Sequence, residues 1–209
     1  MSVMLYYVPG TRAVRVRWML EEMNHPYELV RIDPKKDEND SPTYRSLQPL
    51  GHVPVIVAGS QVIYESAAIV AWLADRHPEK KLAPTVDSPA RGQYYQWMFF
   101  GMATIEPPLQ QLLLHTRLLP EEKRVPFVVE HSVGRFREVA AVVEKEIASH
   151  PFILGESFSA ADIVVGACIN WARGMKLPDG TRLLEGFPTL QAYSARLLER
   201  PALQRAISD

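Results

Sequence analysis

The polar and apolar positions of the first eighty residues switch repeatedly between strand-like and helix-like spacing. Val3 to Val8 is an apolar, β-rich run closed by Pro9-Gly10, after which Val14, Val16, Trp18, Met19, Leu20 and Met23 fall on a broad helical stripe. Asn24-His25-Pro26 ends that helix, Tyr27 to Ile32 predicts a second strand, and the charged loop Asp33 to Asp40 follows. A short helix around Thr43 to Leu47 leads to the β-branched run Val55-Ile56-Val57. Ala58-Gly59-Ser60 is turn chemistry, and Val62-Ile63-Tyr64 pairs back. The period then changes again. Ala67, Ala68, Ile69, Trp72 and Leu73 form an apolar helical face, with Ser66 as the expected N-cap.

The resulting order, β-α-β-α-β-β-α, predicts an α/β thioredoxin-like domain in which a crossover helix makes the first two strands parallel and the last two form a hairpin. After His77-Pro78 the strand signals stop, and Glu79 to Pro89, with its prolines and charges, reads as a linker. The remainder predicts helices: Ala90 to Ile105, an interruption or restart at Pro107-Pro108, an amphipathic helix from Glu121 to Ser149, and an apolar helix from Phe158 onward. Ser159-Ala160-Ala161-Asp162 fits a capping box worth roughly 1 kcal/mol, with Phe158 and Ile163 spaced for a hydrophobic staple. The expected organisation is a thioredoxin-like domain over 1–78, a linker over 79–89 and an all-α helical bundle over 90–209.

Composition narrows the function classes. Lys+Arg 23 against Asp+Glu 24 gives a net charge of -1, so no overall field recruits nucleic acid or an anionic membrane. The opening MSVMLYYVPG lacks a basic n-region and a sustained apolar stretch, and no window reaches transmembrane length, so a cytoplasmic protein is expected. The one cysteine, Cys168, excludes an internal disulfide framework and any two-cysteine redox pair. It lies in the apolar run Ile163 to Trp171 and is expected to be a buried small hydrophobe. Six scattered histidines show no metal-ligand spacing, and no metal is expected.

The stretch Gly51 to Ile69 reads as a binding edge. Pro54 removes a donor, holds Val53 extended and is the residue type that accepts a cis bond cheaply. With that bond cis, Val53 can offer its N–H and C=O to an extended peptide, whose acidic end would reach Glu65, Ser66 and the free amides of the helix start. The alternative is an edge proline in a hairpin.

G-H-V-P-V at 51–55 and Y-E-S-A-A-I at 64–69 resemble the glutathione-binding half of the cytosolic glutathione transferase family. The resemblance implies that Pro54 is cis and that Val53 pairs antiparallel with the cysteine of glutathione. It also implies that Glu65 and Ser66 hold the γ-glutamyl end. His52 stands where the family often has a lysine, arginine or glutamine at the glycine end. The two-domain arrangement extends the likeness over essentially the whole chain. It implies a homodimer, with the helices Ser66 to His77 and Ala90 to Ile105 as the interface.

Such an enzyme must ionise a thiol whose free pKa is about 8.5, and lowering it by two units needs roughly 2.7 kcal/mol. A hydrogen bond to an anion supplies about 1.5–3 kcal/mol. Thr11, at the turn from the first strand into the first helix, matches the serine of serine-type members; the other reading is a helix cap. Tyr6 matches the tyrosine of tyrosine-type classes, or else is core. Arg12 falls where cysteine-type classes carry their cysteine, and the face bearing Arg12, Arg15 and Arg17 otherwise reads as solvated or interdomain. A hydrophobic electrophile is expected between the domains, against Phe99, Met102 and Trp171, with Met175 beside them; stripes of this kind are otherwise core. The expected activity is glutathione conjugation. The alternatives are a glutathione-dependent thiol-disulfide reductase or peroxidase, and a non-catalytic ligand-binding protein of the same fold.

Overall fold

The computed structural model describes residues 2–208. They form two compact units, the first taking in the chain up to Lys81 and again from Leu198, the second Leu82 to Leu197. In the first unit β1 (Val3–Tyr7), β2 (Tyr27–Arg31), β3 (Val55–Ala58) and β4 (Gln61–Tyr64) make one sheet in the order β2-β1-β3-β4. β1 and β2 are parallel because α1 (Ala13–Glu22) carries the chain back between them; β1 with β3 and β3 with β4 are antiparallel. With α2 (Pro42–Arg45) and α3 (Ser66–Arg76), this is the thioredoxin-like order read from the sequence.

Alternation along β1 buries Val3, Leu5 and Tyr7 while Met4 and Tyr6 stay partly covered. Helices α1 and α3 pack on each other, and α2 sends Tyr44 into a separate cluster with Ile32 and Val55, bordered by Tyr6, Val8, Leu47 and Val53.

The last helix, α9 (Pro201–Ile207), packs on α1 instead of joining the bundle that the sequence extends to residue 209. Its stripe of Ala202, Leu203 and Ala206 is buried. Electrostatics adds to this: α1 ends in Glu21 and Glu22 with no basic residue in its last turn, an unfavourable arrangement at the negative end of a helix. Arg200 answers it with a two-pronged bond to Glu22, Nε to Oε1 at 2.6 Å and Nη2 to Oε2 at 2.7 Å, and Arg205 Nε reaches Glu21 Oε2 at 2.5 Å.

The second unit holds α4 (Ala90–Phe100), α5 (Glu106–Leu113), α6 (Pro126–Glu146), α7 (Ala160–Gly174) and α8 (Pro188–Leu198). Of the expected linker, Leu82 and Pro84 are tied into this unit: the Leu82 carbonyl accepts from Ala160 N–H at 2.7 Å and the Pro84 carbonyl from Arg91 Nη1 at 2.7 Å.

Pro107-Pro108 stands in the first turn of α5, the restart that the sequence offers as one of its two readings, and the backbone is not interrupted ahead of it. The backbone keeps helical dihedrals from Gly101 (φ −56°, ψ −48°) to Glu106 (φ −69°, ψ −40°) through a π-helical stretch, Gly101–Ile105, in which Glu106 N–H bonds the Gly101 carbonyl. A π turn widens the spiral immediately before the prolines. It relieves the crowding between each ring and the preceding turn, in a place where the missing N–H groups leave the α ladder already open. A second π stretch, Leu114–Leu118, follows α5. Gly101 is also where α7 comes closest: a Cβ there would stand 2.7 Å from Val164 Cγ1. Cys168, fully buried as expected, sits 3.6 Å from the Gly101 carbonyl through its Sγ.

The capping box at α7 is present. Asp162, fully buried, accepts from Ile153 N–H (2.8 Å), Ser159 N–H (2.8 Å), Ser159 Oγ (3.0 Å) and Tyr193 O–H (2.8 Å). Burial pushes its pKa up against the pull of those donors. Phe158 rests edge-on against Phe152, with ring centroids 5.6 Å apart. Glu144 of α6 caps α8, accepting from Thr189 N–H at 2.8 Å and Leu190 N–H at 2.7 Å.

Candidate active site

Strand register brings three sequence-distant segments to one end of the first unit's sheet. Tyr6, near the end of β1, lies opposite Val55 at the start of β3, and Val55 lies opposite Tyr64 at the end of β4. The turn from Val8 to Arg12, the approach to β3 through His52, Val53 and Pro54, and the Glu65-Ser66 start of α3 therefore all leave the sheet at this end. Thr11, Arg12, His52, Val53, Pro54, Glu65 and Ser66 are among them, and Tyr6 lies on the strand that leads into the first.

The Val53-Pro54 bond is cis. Neither the N–H nor the C=O of Val53 is taken up by another group among the described residues. The loop leading there is held from behind. Gln48, 3% exposed, accepts from Leu50 N–H at 2.6 Å and His52 N–H at 3.1 Å through Oε1, and Tyr44 donates its hydroxyl to the His52 carbonyl at 2.7 Å. Burial and the neighbouring Tyr6 push the Tyr44 phenol up to about 12, so it remains a donor throughout the physiological range. Gly51 has φ +67°, and a Cβ there would meet the Asn39 carbonyl oxygen at 2.7 Å. Tyr44 and Gln48 carry no sequence signal of this role: one reads as the apolar side of a short helix, the other as a loop amide. Tyr44→Phe is expected to lower stability by about 0.5–1.5 kcal/mol in urea denaturation and to speed amide exchange at Leu50 and His52. Unchanged exchange there would mean that the tyrosine does not hold the loop.

Glu65 precedes α3 with φ 73° and ψ 108°, a conformation that costs a non-glycine residue about 1–3 kcal/mol. Its exposed carboxylate has no partner among the described residues, and no side chain caps the helix behind it. Ser66 is the first helical residue, with Glu65 in the cap position the sequence assigns to Ser66. Ser66 is 2% exposed, and its Oγ accepts from Arg15 Nη1 at 3.2 Å. Arg15, expected on a solvated or interdomain face, is itself 2% exposed. The overlooked signal is its spacing: Arg15 lies three and four residues before Trp18 and Met19, on the buried side of α1.

Thr11 stands at the start of α1 as expected, with its hydroxyl engaged locally. Oγ1 donates to the Val8 carbonyl at 2.6 Å and accepts from Ala13 N–H at 3.3 Å. Arg12 occupies the cap position of α1 and is half-buried. The Tyr6 ring packs against Tyr44 at 5.7 Å in the cluster beneath α2, and its phenol makes no hydrogen bond among the described residues.

In the second unit Phe99 on α4 is 70% exposed, while Met102 in the first π stretch and Trp171 on α7 are partly buried; these helical segments pack on one another. Met175, expected beside them, is core, as are Tyr94, Trp97 and Met98. Among the described residues no cluster of three or more His, Cys, Asp or Glu could hold a metal ion, and no helix is long and apolar enough to cross a membrane.

Residues 11–76 match the family model described as Glutathione S-transferase, N-terminal domain, and residues 126–196 the one described as Glutathione S-transferase, C-terminal domain. Glutathione S-transferase F10 of Arabidopsis thaliana is 31% identical over 153 residues, 69% of this chain and 68% of that protein. Disulfide-bond oxidoreductase YfcG of Escherichia coli K12 is 25% identical over 212 residues, 97% of this chain and 93% of that protein. Among solved structures, the theta class glutathione S-transferase of Xanthomonas axonopodis pv. citri, with glutathione bound, has a TM-score of 0.86 at 29% identity. That match covers 99% of this chain and 97% of the other.

Proposed function

The chain belongs to the glutathione S-transferase family of enzymes, and from that premise we propose that it binds glutathione at the sheet end bearing Val53, Glu65 and Ser66 and transfers its thiolate to a hydrophobic electrophile. One observation carries the reading: three unused groups of complementary chemistry stand together. They are the unpaired backbone of Val53, the unpartnered carboxylate of Glu65, and the uncapped α3 start with the buried Ser66 hydroxyl. Beside the cis Pro54, the first pairs with the cysteine residue of the peptide as a short antiparallel strand. The second receives the γ-glutamyl ammonium, and the third its carboxylate. His52, exposed on the approach to β3, meets the glycine end. Phe99, Met102 and Trp171 supply apolar contact to the electrophile. The sulfur forms the new bond to its electrophilic carbon while the bond from that carbon to its leaving group breaks, the leaving group departing with the electron pair; the thiol proton has already left to solvent.

Thr11 holds the thiolate in this scheme, which requires its hydroxyl to swing its proton away from the Val8 carbonyl. Isothermal titration with glutathione tests binding, and an ultraviolet titration of the bound thiol tests activation. Thr11→Val is expected to raise the bound-thiol pKa by about one to two units, given about 1.5–3 kcal/mol for a hydrogen bond to an anion. It also removes the acceptor of the Ala13 N–H and the donor to the Val8 carbonyl, bonds worth about 0.5–1.5 kcal/mol each, so a thermal melt accompanies the titration. A pKa that moves instead with Arg12→Leu or Tyr6→Phe reassigns the role to that residue.

A second reading is supported by the near full-length likeness to a disulfide-bond oxidoreductase: two bound thiols reduce a small disulfide, yielding glutathione disulfide and two substrate thiols. Comparing turnover of a small disulfide with that of an aromatic electrophile separates the two activities, and a protein that binds glutathione with neither is a ligand-binding member. The cytoplasm, where glutathione keeps thiols reduced, suits either chemistry. A homodimer is part of the proposal, and sedimentation equilibrium tests it.

A further inference from the structure

Helices α1 and α3 pack on each other, and each ends beside a histidine: His25 shortly past the Met23 cap of α1, His77 as the cap residue of α3. Their rings meet edge to face, with centroids 5.2 Å apart and planes at 74°. The two are distant in the chain, so no ligand spacing joins them in the sequence. A carbonyl or an ionised carboxylate can only accept hydrogen bonds, so a ring nitrogen turned toward one carries the proton. His25 Nδ1 lies 2.8 Å from the Pro26 carbonyl oxygen, and His77 Nδ1 lies 3.1 Å from Glu79 Oε1. In the neutral rings this fixes the Nδ1–H tautomer and leaves the lone pair on Nε2. Neither Nε2 has a partner among the described residues.

We propose that His25 and His77 form a surface site for a divalent transition-metal ion of the zinc or copper kind, bound through the two Nε2 atoms with water in its remaining positions. A ring whose far nitrogen donates to a carbonyl or carboxylate is the arrangement that orients a metal-binding histidine and raises its basicity, and here both rings have it. The spacing fits as well. Two imidazoles bound to one tetrahedral ion at about 2.0–2.1 Å hold their ring centroids about 5 Å apart. Both rings are partly exposed, so an ion reaches them from solvent, and the negative ends of α1 and α3 favour positive charge there. Imidazole nitrogens select zinc, copper or nickel over magnesium and calcium, which require oxygen. An ion held by both rings ties the end of α1 to the end of α3.

The test is isothermal titration of the full chain with zinc chloride, without glutathione, whose thiol would itself take the ion. Two imidazoles, half the ligand set of a structural zinc site, are expected to give a Kd of about 1–100 μM, and magnesium chloride no measurable binding. His25→Gln and His77→Gln are each expected to weaken zinc binding at least about tenfold, and Glu79→Gln, which removes the charge behind His77, by about tenfold. His131→Gln, on the second unit, is expected to change nothing. Long-range proton–nitrogen NMR of the parent reads the tautomers directly and needs no variant to fold: both rings should be Nδ1–H, and zinc should shift both Nε2 resonances together. A parent that binds zinc no tighter than about 1 mM overturns the proposal, as do parental affinity in either single histidine variant, an equal loss in His131→Gln, and an Nε2–H tautomer at either ring.

Discussion

Asp162→Ala is expected to cost the second unit about 3–5 kcal/mol, the range for stripping a buried, fully bonded charge of its role. Four donors from three places converge on this carboxylate: Ile153 ahead of the helix, the Ser159 backbone and hydroxyl at its cap, and Tyr193 from α8. Alanine leaves all four facing a void. Each unsatisfied donor costs about 1–3 kcal/mol, less than additively because the cap region can relax. Asp162→Asn should recover little, since its amide group would oppose one set of those donors with donors of its own. Urea denaturation of the full chain measures the loss, and a change below about 1 kcal/mol would show that the network is not what holds α7 and α8 together.

Removing residues 200–209 should be comparably damaging, and in the first unit. The truncation uncovers the surface of α1 that Ala202, Leu203 and Ala206 bury, and burying one leucine is worth about 1.5–3 kcal/mol. It also strands Glu22, whose side chain is 10% exposed, at the negative end of α1 without Arg200. The sum is about 3–6 kcal/mol, a large share of typical domain stability. A pH signature accompanies it. Burial tends to raise the Glu21 pKa, but bonds from Arg205 and Tyr27 outweigh burial and hold it below the ordinary value of 4.5. A carboxylate with a depressed folded pKa stabilises the fold above its unfolded pKa and loses that contribution as pH falls through the folded one. The gap between full-length and truncated protein should therefore narrow on acidification from neutrality to below 4.5. Melting curves at the two ends of that range provide the check, and a constant gap would assign the whole effect to apolar burial.

Local periodicity made the first unit legible in the sequence. Strand and helix spacings differ, and each switch between them is punctuated by proline, glycine or a charged loop. The attachment of α9 was not legible, because its seven residues carry only a short apolar stripe and its partner lies at the other end of the chain. At the site, Val53-Pro54 and Glu65-Ser66 announce themselves through residue types whose backbone and anion chemistry are distinctive. Arg15 does not, because a charge on a helix is ordinarily solvated, and only the neighbouring Trp18 and Met19 betray that this face turns inward. The engagement of Thr11 with Val8 was equally out of reach, being the choice of one side-chain torsion. Pro107-Pro108 marked the restart of an α segment, but not that the backbone stays helical into it: the rule that proline ends a helix presumes a four-residue turn, and the turn before these prolines is wider.

That wide turn ties two features of the chain into one inherited character. A π turn accommodates an additional residue with little change in the direction of the helix, so deleting one residue from Gly101–Ile105 would restore an ordinary spiral and keep the buried side of α5 where it is. The restored spiral would then carry two consecutive prolines in its interior, each opposed by roughly 3 kcal/mol. Conversely, replacing the prolines while keeping the extra residue removes what makes the wider turn worth holding. A lineage that shortens this helix by one residue must change Pro107 and Pro108 in the same step or pass through a broken rod, so chain length here and proline content should vary together among descendants.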